Sequence, residues 1–385
     1  MSVSWFSHVR SNFKVKHYTN YAGVLIALAV TAVLFYSGSM RASTANLLMQ
    51  IGYSIILAVS LNIVVGFLGE LSLGHAGFMC VGAYIGCFVA NALHGVVGSK
   101  LLLLIIGMIV GGAAAALCGL LIGIPVLKLK GDYLAITTLA FGEIVRNVFM
   151  NLECFGGALG LRTSSIRYGN SEFIVAFAVL FVILVITQNL IRSKHGRAIT
   201  AIRDNEIAAH SMGINVTFYK LFAFVLSAFF TGIAGVLYGF ATTPISYSAF
   251  SYNYSIEILV MVVLGGMGSI NGSIISATLL TFINFKLTTK LSGDLAALKY
   301  LIYALILITL VIFNNAPALK SVREKYSPSI LLRKLFPHKK QSLEKVKDDE
   351  AQWSRIPTKV KMDELLSADI RPEDPFTPDR PEKGD

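Results

Sequence analysis

Gly196–Asn215 reads GRAITAIRDNEIAAHSMGIN, a polar, helix-capable stretch set between two apolar runs, Phe173–Ile191 and Leu221–Phe240. About 20 apolar residues suffice to cross a bilayer as a helix, so the flanks predict two membrane spans with a polar connection between them. The connection is too long for a tight turn and too regular for a random linker. Ala198, Ala201, Ile202, Ala208, Ala209 and Met212 give it a small apolar component, while Arg197, Arg203, Asp204 and Glu206 keep it soluble. Asp204 or Asn205 can cap a second short helix, with Glu206 in its first turn where the helix dipole favours an acid. Gly213 then supplies a C-terminal stop. A small surface helix of this kind suits a groove on another protein. An ordinary solvated loop is the plainer reading, and the residues alone leave both open.

Working outward, the composition agrees with membrane spans. The chain has 385 residues, of which 55% are hydrophobic and only 14% charged, with 33 glycines; these values exclude an ordinary soluble globule. Charge is segregated. Residues 320–385 hold 15 of the 33 Lys and Arg and 13 of the 22 acids, and eight of the ten prolines fall from Pro317 onward. The net charge of +11 does not point to nucleic acid, because the basic residues before the tail sit in short loops beside apolar spans. The four cysteines make no framework. Cys80, Cys87 and Cys118 lie in apolar helices as small hydrophobes and Cys154 stands alone in a loop, so neither a disulfide nor a metal site is expected.

Ten spans are predicted: 21–38, 45–67, 72–93, 101–124, 133–150, 172–191, 217–241, 254–270, 272–290 and 298–314. The fifth is the least apolar because it carries Glu143 and Arg146, and the eighth and ninth are short and split by glycines. Ten spans place Arg10, Lys14 and Lys16, then Lys128 and Lys130, then Arg192, Lys194, Arg197 and Arg203, and finally the Lys-rich tail on one side. That is the positive-inside pattern, with both termini cytoplasmic. The first apolar run reads as an uncleaved span rather than a signal peptide. Residues 1–20 are then a cytoplasmic N-terminus, 21–315 the transmembrane domain, and 316–385 a charged, Pro-bearing tail too poor in apolar runs to fold on its own. Leu331–Phe336, among basic residues, suits anionic lipid. The expected fold class is an all-α polytopic membrane protein.

Gly82/Gly86, Gly107/Gly111, Gly119/Gly123, Gly235/Gly239 and Gly268/Gly272 repeat at the small-xxx-small spacing that lets helices approach closely. Two Gly-rich breaks also echo one another, Gly66–Gly77 in the first half and Leu264–Gly272 in the second. Corresponding broken segments in two halves point to a translocation path; a pair of tight interhelical turns would look the same in sequence. Ionisable groups inside spans are costly and so are candidates for function. Gly69, Glu70 and His75 at the first break, Gly265 and Gly268 at the second, and Asp132, Glu143 and Arg146 on the fifth span form that set. Glu143 and Arg146 are spaced i, i+3 and can instead form a structural ion pair. Glu257 is expected near the outer interface, and Asn62, Asn147 and Asn284 can hydrogen-bond between helices. There is no Gly-rich loop ending Gly-Lys-Ser/Thr, no HExxH and no GxSxG in the sequence, so ATP hydrolysis or another active site is not expected in this chain.

Four stretches carry a resemblance: GELSLGHAGFMCVGAY (Gly69–Tyr84), GDYLAITTLAFGEIVRNV (Gly131–Val148), the segment Gly196–Phe240, and LGGMGSINGSIISA (Leu264–Ala277). Over residues 20–315 the chain resembles the LivM-type permease subunit of branched-chain amino-acid ABC transporters. The resemblance implies a bacterial inner-membrane permease for Leu, Ile or Val. It further implies a second, LivH-like permease, two ATPase subunits that bind the ATP, and an external amino-acid-binding protein as partners. This chain itself would hold no cofactor. It also implies that residues 192–216 are a coupling loop docking on the ATPase. The general importer motif there is Glu-Ala-Ala, three residues, then Gly, and this chain reads Ile207-Ala208-Ala209 and Gly213, with Glu206 displaced by one from the acid's place. Arg203, Glu206, Ala208, Ala209 and Gly213 are the expected coupling residues. Within the same class urea, an amide, other hydrophobic amino acids or a sugar are alternative cargoes. A secondary transporter coupled to ions through Glu143, Asp132 or Glu257 is the alternative from another class.

Overall fold

A computed structural model describes residues 42–129, 131–166, 172–290, 304, 305 and 308. Ten α-helices appear among them: α1 Ala42–Asn62, α2 His75–Leu93, α3 Lys100–Val126, α4 Asp132–Asn151, α5 Glu172–Arg192, α6 Lys194–Asp204, α7 Glu206–Ser211, α8 Val216–Ala241, α9 Tyr252–Gly265 and α10 Ile270–Lys290. There is no strand among the described residues, only an isolated bridge between Leu161 and Ile245. The fold is all-helical, and six segments are long and apolar enough to cross a membrane: Ser43–Leu68, His75–Leu93, Lys100–Val126, Phe173–Arg192, Val216–Ala241 and Ile270–Thr289.

The predicted spans 45–67, 72–93, 101–124, 172–191, 217–241 and 272–290 correspond to those six. The fifth, 133–150, is a helix of 20 residues, about 30 Å and thus of spanning length, but its charged pair keeps it out of the apolar set. The eighth, 254–270, is shorter than expected. Its helix ends at Gly265 because Gly266 and Gly268 adopt φ of 90° and 79° and turn the chain into α10. The spans 21–38 and 298–314, apart from residues 304, 305 and 308, and the tail 316–385 lie outside the described residues.

The centre of the bundle is α1, whose apolar window is 94% buried, as a helix hydrophobic all round should be. Around it, α8 packs on α3, α2 and α1, while α10, α5 and α9 cover the rest of α1. The small-residue spacing works where α2 crosses α8: a methyl on Gly82 would strike the Gly232 carbonyl. Backbones meet there with no side chain between them, which is how helices associate without a hydrophobic driving force. The outer helices turn apolar side chains outward. Leu102, Ile109, Leu117 and Leu121 of α3 are all exposed, a surface suited to hydrocarbon rather than water.

Buried hydroxyls tie the inner helices. Ser227 Oγ of α8 donates to the Ser60 carbonyl at 2.6 Å and meets His75 Nε2 at 2.9 Å, while Ser60 and Thr231 hydroxyls lie 3.0 Å apart. In an apolar interior such groups must satisfy one another. Tyr84 likewise donates to the Ile245 carbonyl at 3.0 Å, fixing the loop after α8 to α2.

Candidate functional site

The polar segment folds as two short helices with a cap at each boundary. Ser193 Oγ accepts from the Gly196 amide at the start of α6, and Asn205 Oδ1 accepts from the Ala208 amide at the start of α7. Asn205, not Asp204, is therefore the second cap. Gly213 sits at φ 81° just past α7, donating to the His210 carbonyl while Ile214 donates to the Ala209 carbonyl. This pair of bonds is a Schellman motif, and only glycine adopts its left-handed residue without strain. The apolar side of α6, Ile199 and Ile202, is buried against the bundle, and so is Ala209 of α7. Ile207, Ala208, Met212 and Gly213 remain exposed together, with Ile207 79% and Met212 82% accessible.

At this end of the bundle α1 does not stop at Asn62. It continues as a six-residue π-helix, Ile63–Leu68, and closes with Gly69 at φ 83°. The last carbonyls of a helix have no partner within it. Gly66 supplies one of them, and Arg203 of α6 donates Nη1 to it at 3.0 Å. A guanidinium at a helix C-terminus is also favoured by the helix dipole. The stem of Arg203 lies against Gly69, where a methyl would be 2.6 Å from its Cγ. Asp204 holds the other side of the guanidinium at 2.9 and 3.1 Å.

The second break meets the first at the same place. Asn62, fully buried, accepts from the Gly268 amide at 2.8 Å and donates to Ser273 Oγ at 3.0 Å. A methyl on Gly66 would collide with the Gly268 amide nitrogen, so the two broken segments touch backbone to backbone. Gly265 is pressed against Gly272 in the same way, which lets α9 and α10 fold back on each other. The echo read from the sequence is thus a physical junction between the two halves.

A buried cation completes the cluster. Lys220 of α8, with its side chain only 6% exposed, places Nζ 2.7 Å from Glu70 Oε1 and 3.3 Å from Glu206 Oε1. One ammonium bridges the segment after the π-helix to the first residue of α7. An uncompensated charge at such burial is costly, so the three groups act as a unit. Gly69, Glu70, Arg203, Glu206 and Gly268 are therefore brought together. Lys220 was missed by the sequence reading, and Gly66 was named there only as the start of the first break. A lysine five residues into an otherwise apolar helix was the available signal for the first; nothing marked the Gly66 carbonyl.

The remaining predicted residues lie elsewhere. His75 is buried at the start of α2 on Ser227. Asp132 is exposed in the first turn of α4. Glu143 pairs with Arg146 at 3.0 Å and also accepts from the Tyr252 amide at 2.9 Å. The carboxylate so caps the N-terminus of α9, a structural use of both charges. Asn284 does bridge helices, donating to Glu257 at 3.0 Å. No group of three or more His, Cys, Asp or Glu suited to a metal occurs among the described residues.

Residues 43–311 match the family described as branched-chain amino acid transport system / permease component. The chain is 36% identical over 288 residues to the high-affinity branched-chain amino acid transport system permease protein LivM of Salmonella typhimurium, 66% of each chain. It is 27% identical over 261 residues to the probable branched-chain amino acid transport permease protein LivM of Methanocaldococcus jannaschii, 59% of this chain and 76% of that one. Over 325 residues it is 29% identical to the L-arabinose transport system permease protein AraH of Escherichia coli, 82% of this chain and 96% of the relative. The chain spans just under two thirds of the length of the Salmonella LivM relative it matches. A polytopic helical bundle with a polar connection clasped to two broken helices, matched over residues 43–311, is a member of the branched-chain amino acid transport system / permease component family.

Proposed function

We propose that this chain is a transmembrane permease subunit of an ABC importer for leucine, isoleucine and valine, working by alternating access driven by separate ATPase subunits. The observation that carries this is the two-sidedness of α6 and α7. Their inner side is fastened by Arg203 and by the Glu206–Lys220–Glu70 cluster to the junction of the two broken helices. Their outer side leaves Ile207, Ala208, Met212 and Gly213 free for a groove on a partner. A push on α7 is then delivered to the broken segments through a few charged contacts, the arrangement a coupling element needs.

In this reading the chain crosses the bacterial inner membrane ten times, with the α6–α7 segment and both termini in the cytoplasm. It pairs with a second, LivH-like permease and with two ATPases that bind the ATP, and receives its cargo from an external binding protein. Family membership and the two LivM relatives support the cargo class. The relation to an arabinose permease makes a sugar the competing cargo to test.

The experiment is uptake of labelled leucine in cells lacking this chain, with and without it restored. Isoleucine, valine, urea, arabinose and ribose serve as competitors, and vanadate and an uncoupler as inhibitors. Restored uptake blocked by isoleucine, valine and vanadate is the expected result. Uptake abolished by the uncoupler at normal ATP would refute the ATP-driven mechanism; restored transport of arabinose in place of leucine would refute the cargo.

A further inference from the structure

A cleft of about 310 Å³ opens beside the junction of the two broken segments. Gln188 and Arg192 line it from the last turns of α5, Ser269 and Ile270 from the start of α10, and Phe67 and Gly268 from the breaks themselves. Among the described residues that line it, Arg192 is the only charged one, and none is an acid. The Arg192 guanidinium forms no ion pair among the described residues. Arg197 donates Nη1 to the Arg192 carbonyl at 3.3 Å, which keeps a second cation close by.

Two independent features of the lining call for an anion that accepts hydrogen bonds. The first is the N-terminus of α10, a helix of 21 residues. Ser269 caps it: its Oγ accepts from the Gly272 amide at 3.2 Å and its carbonyl from the Ser273 amide at 3.1 Å. The Ile270 amide, first in the helix, has no partner among the described residues. Amides left over at a helix start, together with the positive end of the helix dipole, favour an anion. The second feature is Gln188. It is only 4% exposed, yet neither the oxygen nor the nitrogen of its amide has a hydrogen-bond partner. A buried amide left unpaired costs free energy that a polar ligand in the cleft recovers. Its terminal torsion is soft, so the NH₂ can turn toward such a ligand. Gln188 and Arg192 are spaced i, i+4 and so share one face of α5.

We infer that this cleft binds a phosphate group, ion-paired to Arg192, hydrogen-bonded by the Gln188 amide and set on the N-terminus of α10. Along α10 from the cleft, Ile275, Leu279 and Phe282 are exposed at i, i+4 and i+7 spacing, an apolar stripe that suits acyl chains. The headgroup of an anionic phospholipid is therefore the source of the phosphate, and free phosphate is the other molecule of the same chemistry. An occupant ties the end of α5 to the second break, whose Gly268 amide is already held by Asn62. The inference needs only a membrane-spanning bundle, and neither the cargo nor the ATPases enter it.

The test is equilibrium binding of labelled dihexanoyl phosphatidylglycerol to the full-length chain, purified with its associated membrane subunits in a neutral detergent. Labelled inorganic phosphate is run in parallel, and the competitor is dihexanoylglycerol, which keeps the acyl chains and lacks the phosphate. The lipid is expected to bind and the glyceride not to displace it. Arg192→Gln and Gln188→Leu are each expected to weaken binding about tenfold. Gln188→Leu leaves the charge unchanged and puts carbon where an unpaired amide was buried, so it should fold as well as the original. Lys194→Gln removes one exposed positive charge outside the cleft and is expected to change binding by less than about twofold. Full affinity in either cleft variant, equal weakening by Lys194→Gln, displacement by the glyceride, or no binding of either phosphate probe would each overturn the site. Inorganic phosphate binding as tightly as the lipid, or in its place, would sustain the phosphate site and make free phosphate its ligand. The comparison of lipid with glyceride needs no variant, so a misfolded variant would not decide the outcome.

Discussion

Lys220→Met is the sharpest perturbation of the coupling cluster. The substitution keeps an unbranched side chain of similar length and removes the only feature that matters, the ammonium. In the native protein that ammonium faces Glu70 at 2.7 Å, whose side chain is 14% exposed, and Glu206 at 3.3 Å, whose side chain is 35% exposed. Removing one member of a buried ion pair costs about 3–5 kcal/mol because the partner charge is stranded. Glu206 is partly hydrated, and the cluster lies at the end of the bundle, so the expected loss is smaller, about 2–4 kcal/mol. The apparent melting temperature in detergent should fall by roughly 5–10 °C. Glu206→Gln leaves the Glu70 contact in place and should cost only about 0.5–1 kcal/mol. Glu70→Gln in the Lys220→Met background removes the stranded charge and should recover most of the loss, giving a coupling of about 1–3 kcal/mol in a double-mutant cycle. Uptake should stay impaired in that pair, since stability returns but the link between α7 and the broken segment does not. A Lys220→Met protein as stable as the original, or a cycle with no coupling, would refute the reasoning.

Gly213→Trp should leave the chain inserted and close to natively stable apart from about 1 kcal/mol of left-handed strain, since nothing lies within 4 Å of an added Cβ. Its side chain would instead block the exposed rim, so ATPase subunits should fail to co-purify; normal co-purification and uptake would remove the docking role. Gly82→Val should destabilise by about 3 kcal/mol or more, because its branches meet the α8 backbone at Gly232, and thermal unfolding in detergent measures this. Asn62→Leu leaves the Gly268 amide and Ser273 hydroxyl without their partner and should cost about 2–3 kcal/mol, read in the same assay, with uptake falling further than the stability loss alone accounts for.

The sequence by itself determined the class of fold and the position of most helices, because hydrocarbon demands long apolar runs. The stop at Gly213 was legible too, and the cap before α7 was narrowed to Asp204 or Asn205, of which the structure uses Asn205, since a short polar residue and a positive-φ glycine act locally. Pairing of Glu143 with Arg146 was likewise readable from i, i+3 spacing. What only the tertiary structure decided is which separate signals share a place. Arg203 and Gly66 are 137 residues apart, and Lys220 and Glu70 are 150 apart, yet each pair is in hydrogen-bond contact. The early end of the eighth span at Gly265, the helical use of Glu143 as a cap for α9, and the union of the two glycine breaks through Asn62 depend on packing in the same way. Periodicity reports a residue's own helix. The partner of a buried charge or an orphan carbonyl is set by which helices cross, and that is fixed only when the backbones meet at their glycines.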